Sequence, residues 1–265
     1  MNTKRNISFA NFALIGSLLI PGNDAMALEF DNTKNNGTKK ICKVLLDQAS
    51  MSLKSALDLA VNEEDSGLDF QMWGAIVARD GTVCAVARSG ELGQQWPGSR
   101  VIAEQKANTA NAFSLDGLAL STANLFSAVQ PGGSLYGLQH SNPIDTNRAY
   151  KGPYKKWGTN RDPMIGERVG GVNVFGGGFG LYVNGKVVGG VGVSGDTSCA
   201  DHMIGWRVRH HMELDRMEGV GGISGDSERP DNIIYDVNVG PFPGGFVHPE
   251  CISTGDQTTL PPVQL

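Results

Sequence analysis

His202, Trp206 and His210 stand four residues apart and follow a cysteine at position 199. Side chains at that spacing lie along one side of a helix, so two imidazoles and an indole would share a face able to ligate a metal or wall a pocket. Cys199-x-x-His202, with His210 or Glu213 behind it, offers a zinc-type donor set. Zinc would require Cys199 as a free thiolate, and no second ligand pair stands at zinc spacing. Just upstream, Ser194-Gly195-Asp196 falls at a strand-to-helix turn, where unpaired N–H groups can hold an anion. It lacks the glycine spacing of a G-x-S-x-G nucleophile elbow, so a tight turn needing glycine is the simpler reading. A second store of chemistry lies between Ser134 and Gly171, where Tyr136, His140, Arg148, Tyr150, Tyr154, Lys155, Lys156, Trp157 and Arg161 form the most basic and aromatic stretch.

These residues need elements to position them. Asn184-Gly185 separates two apolar, β-branched runs and suits a two-residue hairpin turn with positive φ at both positions. The second run carries Gly189, Gly190 and Gly192, which weaken a strand unless a backbone, side chain or ligand must approach it. Ser198 and Asp201 fit a capping box, predicting a helix from about Cys199 to Leu214. Phe70 to Arg79 and Thr82 to Arg88 predict an earlier hairpin turning at Asp80-Gly81, and Ser99 to Phe113 predicts a helix. Lys106 sits in the apolar quadrant of that helix, where a lysine ordinarily covers carbon with its stem and keeps its charge in water. Apolar positions from Lys39 to about Asn62 predict one helix with a stutter near Gln48, and Ser121 to Gln130 a short one. Gly170 to Val183 reads as a long strand bent at Gly176-Gly177-Gly178. Helices and hairpins without βαβ alternation imply an α+β domain built on an antiparallel sheet.

The run VVGGVGVSGD followed by a capped helix with an early acidic residue resembles the C-terminal half of the GlcG/HbpS-like haem-binding family. Residues 76–83, IVARDGTV, resemble its first hairpin. Gly98-Ser99 and Lys106-Ala107-Asn108-Thr109-Ala110 resemble its following helix. The resemblance covers roughly residues 40–130 and 170–215. It implies a profilin-like antiparallel sheet of about five strands flanked by helices, frequent homo-oligomers, and haem as cofactor. Haem needs an iron ligand, apolar walls and cations for its propionates. The candidates are His202 and His140 for iron, with Trp206, Lys106, Arg148, Tyr150, Tyr154, Lys155, Ser194 and Asp196 around the ring. Glycines of the strand would let a flat ring approach, and His202 and His140 would face one pocket between the last helix and the 134–171 insertion, within one subunit or across an oligomer interface. The alternative is an enzyme or carrier that holds a small organic anion at the N-terminus of the last helix.

At 265 residues the chain can bury one sizeable core. Lys4 and Arg5, the apolar run Phe12 to Ile20, and Ala25-Met26-Ala27 read as an export signal over residues 1–27. That predicts a periplasmic or secreted protein comprising a single domain over 28–265. The apolar run is too short to span a bilayer. A net charge of −5 offers no basic footprint for nucleic acid, leaving a small molecule as the expected partner. Four cysteines in an oxidising compartment favour two disulfides in one of three pairings. The preferred pairing, Cys42–Cys84 and Cys199–Cys251, ties the first helix to the first hairpin and the last helix to a Gly/Pro-rich tail at about 219–265.

Overall fold

A computed structural model describes residues 36–235 and 245–265. The expected export signal lies outside the described residues. Helix α1 covers residues 36–46 and α2 covers Leu53–Glu63. The single helix expected there is thus two. The break has a cause: Ser50 N–H donates to the Met212 carbonyl (3.0 Å) and Ser50 Oγ to that of His211 (2.8 Å), satisfying the exposed carboxyl end of the last helix. Ser52 then caps α2 by accepting the Ser55 N–H, and Leu53, Ala56, Leu57 and Ala60 face the core.

Strands β1 (Trp73–Ala78) and β2 (Val83–Arg88) form the first hairpin. Ala78 N–H pairs with the Thr82 carbonyl and Gly81 has φ +80°. The turn is therefore a three-residue loop with glycine in the left-handed position. Helix α3 runs over Ser99–Phe113, as expected. Asn184 (φ 50°) and Gly185 (φ 71°) turn β3 (Gly178–Val183) into β4 (Lys186–Ser194). Among the described residues the sheet has four antiparallel strands, where about five were expected, in the order β2-β1-β4-β3. Residues 170–177 have no strand pairing, because Gly170, Gly171 and Gly177 all take positive φ and turn the chain across α3 and the last helix.

Alternation along the strands assigns the two faces. Leu53, Leu57, Ile76, Phe179, Val191, Met203 and Trp206 share the main core on one face with α2 and the last helix, α6 (Ser198–His211). The other face meets α3. There Gly178, Gly180, Gly190 and Gly192 form a floor so close to α3 that a Cβ at Gly192 would strike the Ala103 carbonyl and lie 2.5 Å from Ala107 N. The strand glycines therefore admit a helix backbone, not a flat ligand.

Residues 134–171 contain short helices α4 (Leu138–Ser141) and α5 (Thr146–Ala149) and a 3-10 turn at Tyr154–Lys156. The insertion is held to α3 by Arg100, which is fully buried, pairs with Asp162, donates to the Ala149 carbonyl (2.6 Å) and lies over the Trp157 ring. The expected Ser121–Gln130 helix is two 3-10 turns, Thr122–Leu125 and Ser127–Val129.

Candidate functional site

The cap of α6 is Thr197, whose hydroxyl accepts the Ala200 N–H (3.2 Å), one residue ahead of the expected Ser198. Asp201 is thereby freed from capping. Its Oδ1 accepts the Gly195 and Asp196 N–H groups (3.0 and 2.9 Å), and its Oδ2 receives the Lys106 ammonium at 2.6 Å. Lys106 also donates to the Val193 carbonyl (3.1 Å). It is 1% exposed, so its charge is not in water as expected: it locks α3, β4 and α6 together. Burial pushes the Asp201 carboxyl up to about 6, with Lys106 and the two N–H groups pulling it back. Burial likewise lowers the Lys106 ammonium, opposed by Asp201.

The expected anion-binding turn is filled from within. Asp196 turns back to accept the Leu68, Phe70 and Thr197 N–H groups, while Asp201 takes those of residues 195 and 196. Cys199 N–H points at Cys251 Sγ (3.2 Å). Ser194 is buried at 4%. These donors serve the chain's own carboxylates and sulfur instead of a small organic anion.

His202 is fully buried, packed 4.6 Å from the Phe179 ring and 6.5 Å from Trp206. Its Nε2 lies 3.1 Å from Asn232 Oδ1 and 3.1 Å from the Ile233 backbone N, while its Nδ1 has no partner among the described residues. Burial pushes the imidazole down to about 3, leaving it neutral. Trp206 donates Nε1–H to the Pro261 carbonyl (2.9 Å), and Arg209 pairs with buried Asp231 (2.6 Å). The residue that meets the α6 face is thus the C-terminal tail, as these three contacts and the Cys199–Cys251 disulfide show, and not the insertion. His202 lies buried beneath the tail, while His140 is exposed on the insertion. The zinc-type set is dispersed too: Cys199 is disulfide-bonded, His210 engages Asp215, and Glu213 sits in a left-handed turn. Both disulfides have the preferred pairing, Cys42–Cys84 and Cys199–Cys251.

The insertion keeps its chemistry on the surface. His140 is exposed on α4, with no ring hydrogen bond among the described residues. Trp157 gathers Tyr150 (6.2 Å between centroids) and Tyr154 (5.3 Å), both largely exposed. Lys155 and Lys156 are exposed beside them and have no ion pair among the described residues. Arg148 is committed to Asp145 and Glu167.

Glu104 escaped the sequence reading. It is fully buried on α3, neither carboxylate oxygen has a partner among the described residues, and burial holds its carboxyl well above the usual range against the opposing pull of Arg100. A carboxyl raised in the folded state contributes stability that is present below its unfolded pKa and lost as pH rises through its folded pKa. Glu104→Gln removes that dependence. Its stability relative to wild type should therefore improve with pH above about 4.5, by up to about 1.4 kcal/mol per unit until the folded pKa is passed. Urea denaturation at pH 5 and 8 measures this, and parallel pH dependences would show that Glu104 ionises normally. The only sequence signal was a run of charges, Arg100, Glu104 and Lys106, inside one helix; spacing alone does not reveal their burial.

A family model described as haem degrading protein HbpS-like matches residues 47–207. Among solved structures, a PduOC–haem complex is 24% identical, with 60% of this chain and 88% of that one covered at a TM-score of 0.42. The DUF336 protein ORFY of Klebsiella pneumoniae is 25% identical, covering 61% and 90% at 0.41, and HbpS is 18% identical, covering 62% and 86% at 0.41. No curated protein matches. The matched residues include the whole sheet, α3, the insertion and most of α6, and stop before the tail. With well over half of its length matched by that model, the chain belongs to the HbpS-like family.

Proposed function

We propose that this protein is exported and binds haem, and that the insertion, not the α6 face, carries the site. The carrying observation is the pair of exposed tyrosines, Tyr150 and Tyr154, gathered on half-buried Trp157 beside Lys155 and Lys156 in a family member. Aromatic faces suit a porphyrin, two uncommitted ammonium groups suit propionates, and His140 offers a ring nitrogen to iron. Bound haem would supply a redox-active iron; the chain's part is to hold and orient it. We set His202 aside as the iron ligand because its ring is fully buried beneath the tail, although its Nδ1 has no partner among the described residues. Two disulfides support passage into an oxidising compartment. No helix among the described residues is long and apolar enough to cross a membrane.

Haemin titration followed in the visible spectrum tests the reading. Wild type should give a saturable Soret shift. His140→Ala should abolish that signature, and Lys155→Ala should weaken binding with little spectral change, since exposed ion pairs contribute only about 0–1 kcal/mol. His202→Ala should leave the Soret band in place while lowering stability, because it leaves a cavity beside Phe179 and unpairs Asn232. A wild-type spectrum from the His140 variant would remove this placement.

A further inference from the structure

Outside the proposed haem site, one other group of soft donors converges among the described residues. Cys199 Sγ, Cys251 Sγ and a ring nitrogen of His248 all lie within 4.8 Å of one another. His248 is 1% exposed. Its Nδ1–H donates to the Pro249 carbonyl at 2.7 Å, and its Nε2 is buried without a partner among the described residues. A backbone carbonyl that fixes one ring nitrogen and leaves the other's lone pair bare is the usual support of a metal-binding histidine. Phe126 packs against the ring at 4.9 Å.

The sulfur side is prepared in the same way. Cys251 Sγ receives the Cys199 N–H at 3.2 Å in the first turn of α6 and lies 3.5 Å from Ser198 Oγ. An N–H donor at the start of a 14-residue helix favours a thiolate over a thiol. In the oxidised chain both sulfurs are consumed by their mutual bond, yet the histidine beside them keeps an unused lone pair.

We propose that reduction of Cys199–Cys251 opens a Cys2His site for a zinc-like divalent cation, with Cys199, Cys251 and His248 as ligands and the fourth position open to water. Thiolate and imidazole are the donors such a cation prefers, at about 2.3 and 2.0 Å, and three atoms already this close need only side-chain rotation to reach one metal. The reductant is a dithiol. One of its thiolates attacks the partly exposed Cys251 sulfur and Cys199 leaves as thiolate. The second dithiol sulfur closes a cyclic disulfide and releases Cys251. Two electrons and two protons are thereby transferred to the chain, and metal binding expels the two thiol protons. A covalent tether between α6 and the tail becomes a metal tether at the same place.

The test uses the full chain, reduced with dithiothreitol that is then removed by gel filtration under argon. Titration with cobalt(II), and zinc competition against a chromophoric chelator, should show one cation per reduced chain with a tetrahedral, thiolate-to-cobalt spectrum and no such site in the oxidised chain. His248→Gln leaves both cysteines able to pair during folding, and after reduction it should bind at least about 100-fold more weakly, since loss of even an outer-shell partner costs about 10- to 100-fold. No binding by reduced wild type would overturn the proposal. So would equal binding by reduced His248→Gln, or a site that persists in the Cys199→Ser, Cys251→Ser double variant, which would place the cation at Cys42 and Cys84.

Discussion

Asp201→Ala should destabilise the protein by about 3–5 kcal/mol, because it strands the Lys106 ammonium in the interior without its counter-ion. Lys106 is 1% exposed and its other acceptor is the Val193 carbonyl, which does not compensate a buried charge. The loss is compounded because the Gly195 and Asp196 N–H groups lose the oxygen that both donate to. Lys106→Met should cost less. It removes the cation and leaves Asp201 with those two donors, and the buried carboxyl, already raised to about 6, can then take up a proton. Asp201→Asn should fall between them. Urea denaturation at neutral pH measures the series. A cost below about 1 kcal/mol for Asp201→Ala would mean that the pair behaves as a solvent-exposed one, contrary to its burial.

The second large effect is expected from a single methyl group. Gly192→Ala should destabilise the protein by about 3 kcal/mol or more, at the upper end of overpacking costs. Its Cβ would meet the backbone of α3 at Ala103 and Ala107, and a helix backbone cannot rotate away as a side chain does. The helix would have to lift off the sheet, weakening its contacts along Gly178, Gly180 and Gly190 and the reach of Lys106 to Asp201. Gly117→Ala is the control. Nothing lies within 4 Å of that position, so the change should stay within about 0.5 kcal/mol. Thermal or urea unfolding of the two variants distinguishes the cases, and near-equal stabilities would mean that α3 does not sit on the glycine floor as closely as described.

Much of the framework was legible in the chain because it depends on neighbours in sequence. Positive φ at Asn184 and Gly185 is a local demand, and so is the left-handed Gly81. The bounds of α3 follow from apolar periodicity and hold as Ser99–Phe113. The family motifs, being contiguous, led to the family that the match over 47–207 confirms, and both cysteine pairs are those preferred. Helix α1–α2 was misread as continuous because apolar spacing persists through a break made for the distant end of α6. The cap of α6 was placed one residue late because Thr197 and Ser198 are chemically equivalent candidates, and only the position of Asp201 against Lys106 separates them.

The candidate site was less legible, because what a polar side chain does is set by the surface that arrives opposite it. From sequence, Lys106 was an amphipathic side chain on a helix; its partner lies 95 positions away. The strand glycines announced that something must come close, and the structure made that something α3 instead of a ligand. His202 carried the right atoms for iron, but the tail, 30 residues on at Asn232, closed over it. His140 and the tyrosines of the insertion remained at the surface because Arg100 and Asp162 use the interior of that loop to anchor it, leaving its aromatic rim outward. Local sequence determined turns, helix bounds, cysteine pairs and family. Tertiary structure decided which imidazoles are buried, which lysine is paired and which glycines are covered, since burial free energy depends on contacts between segments that spacing along the chain does not encode.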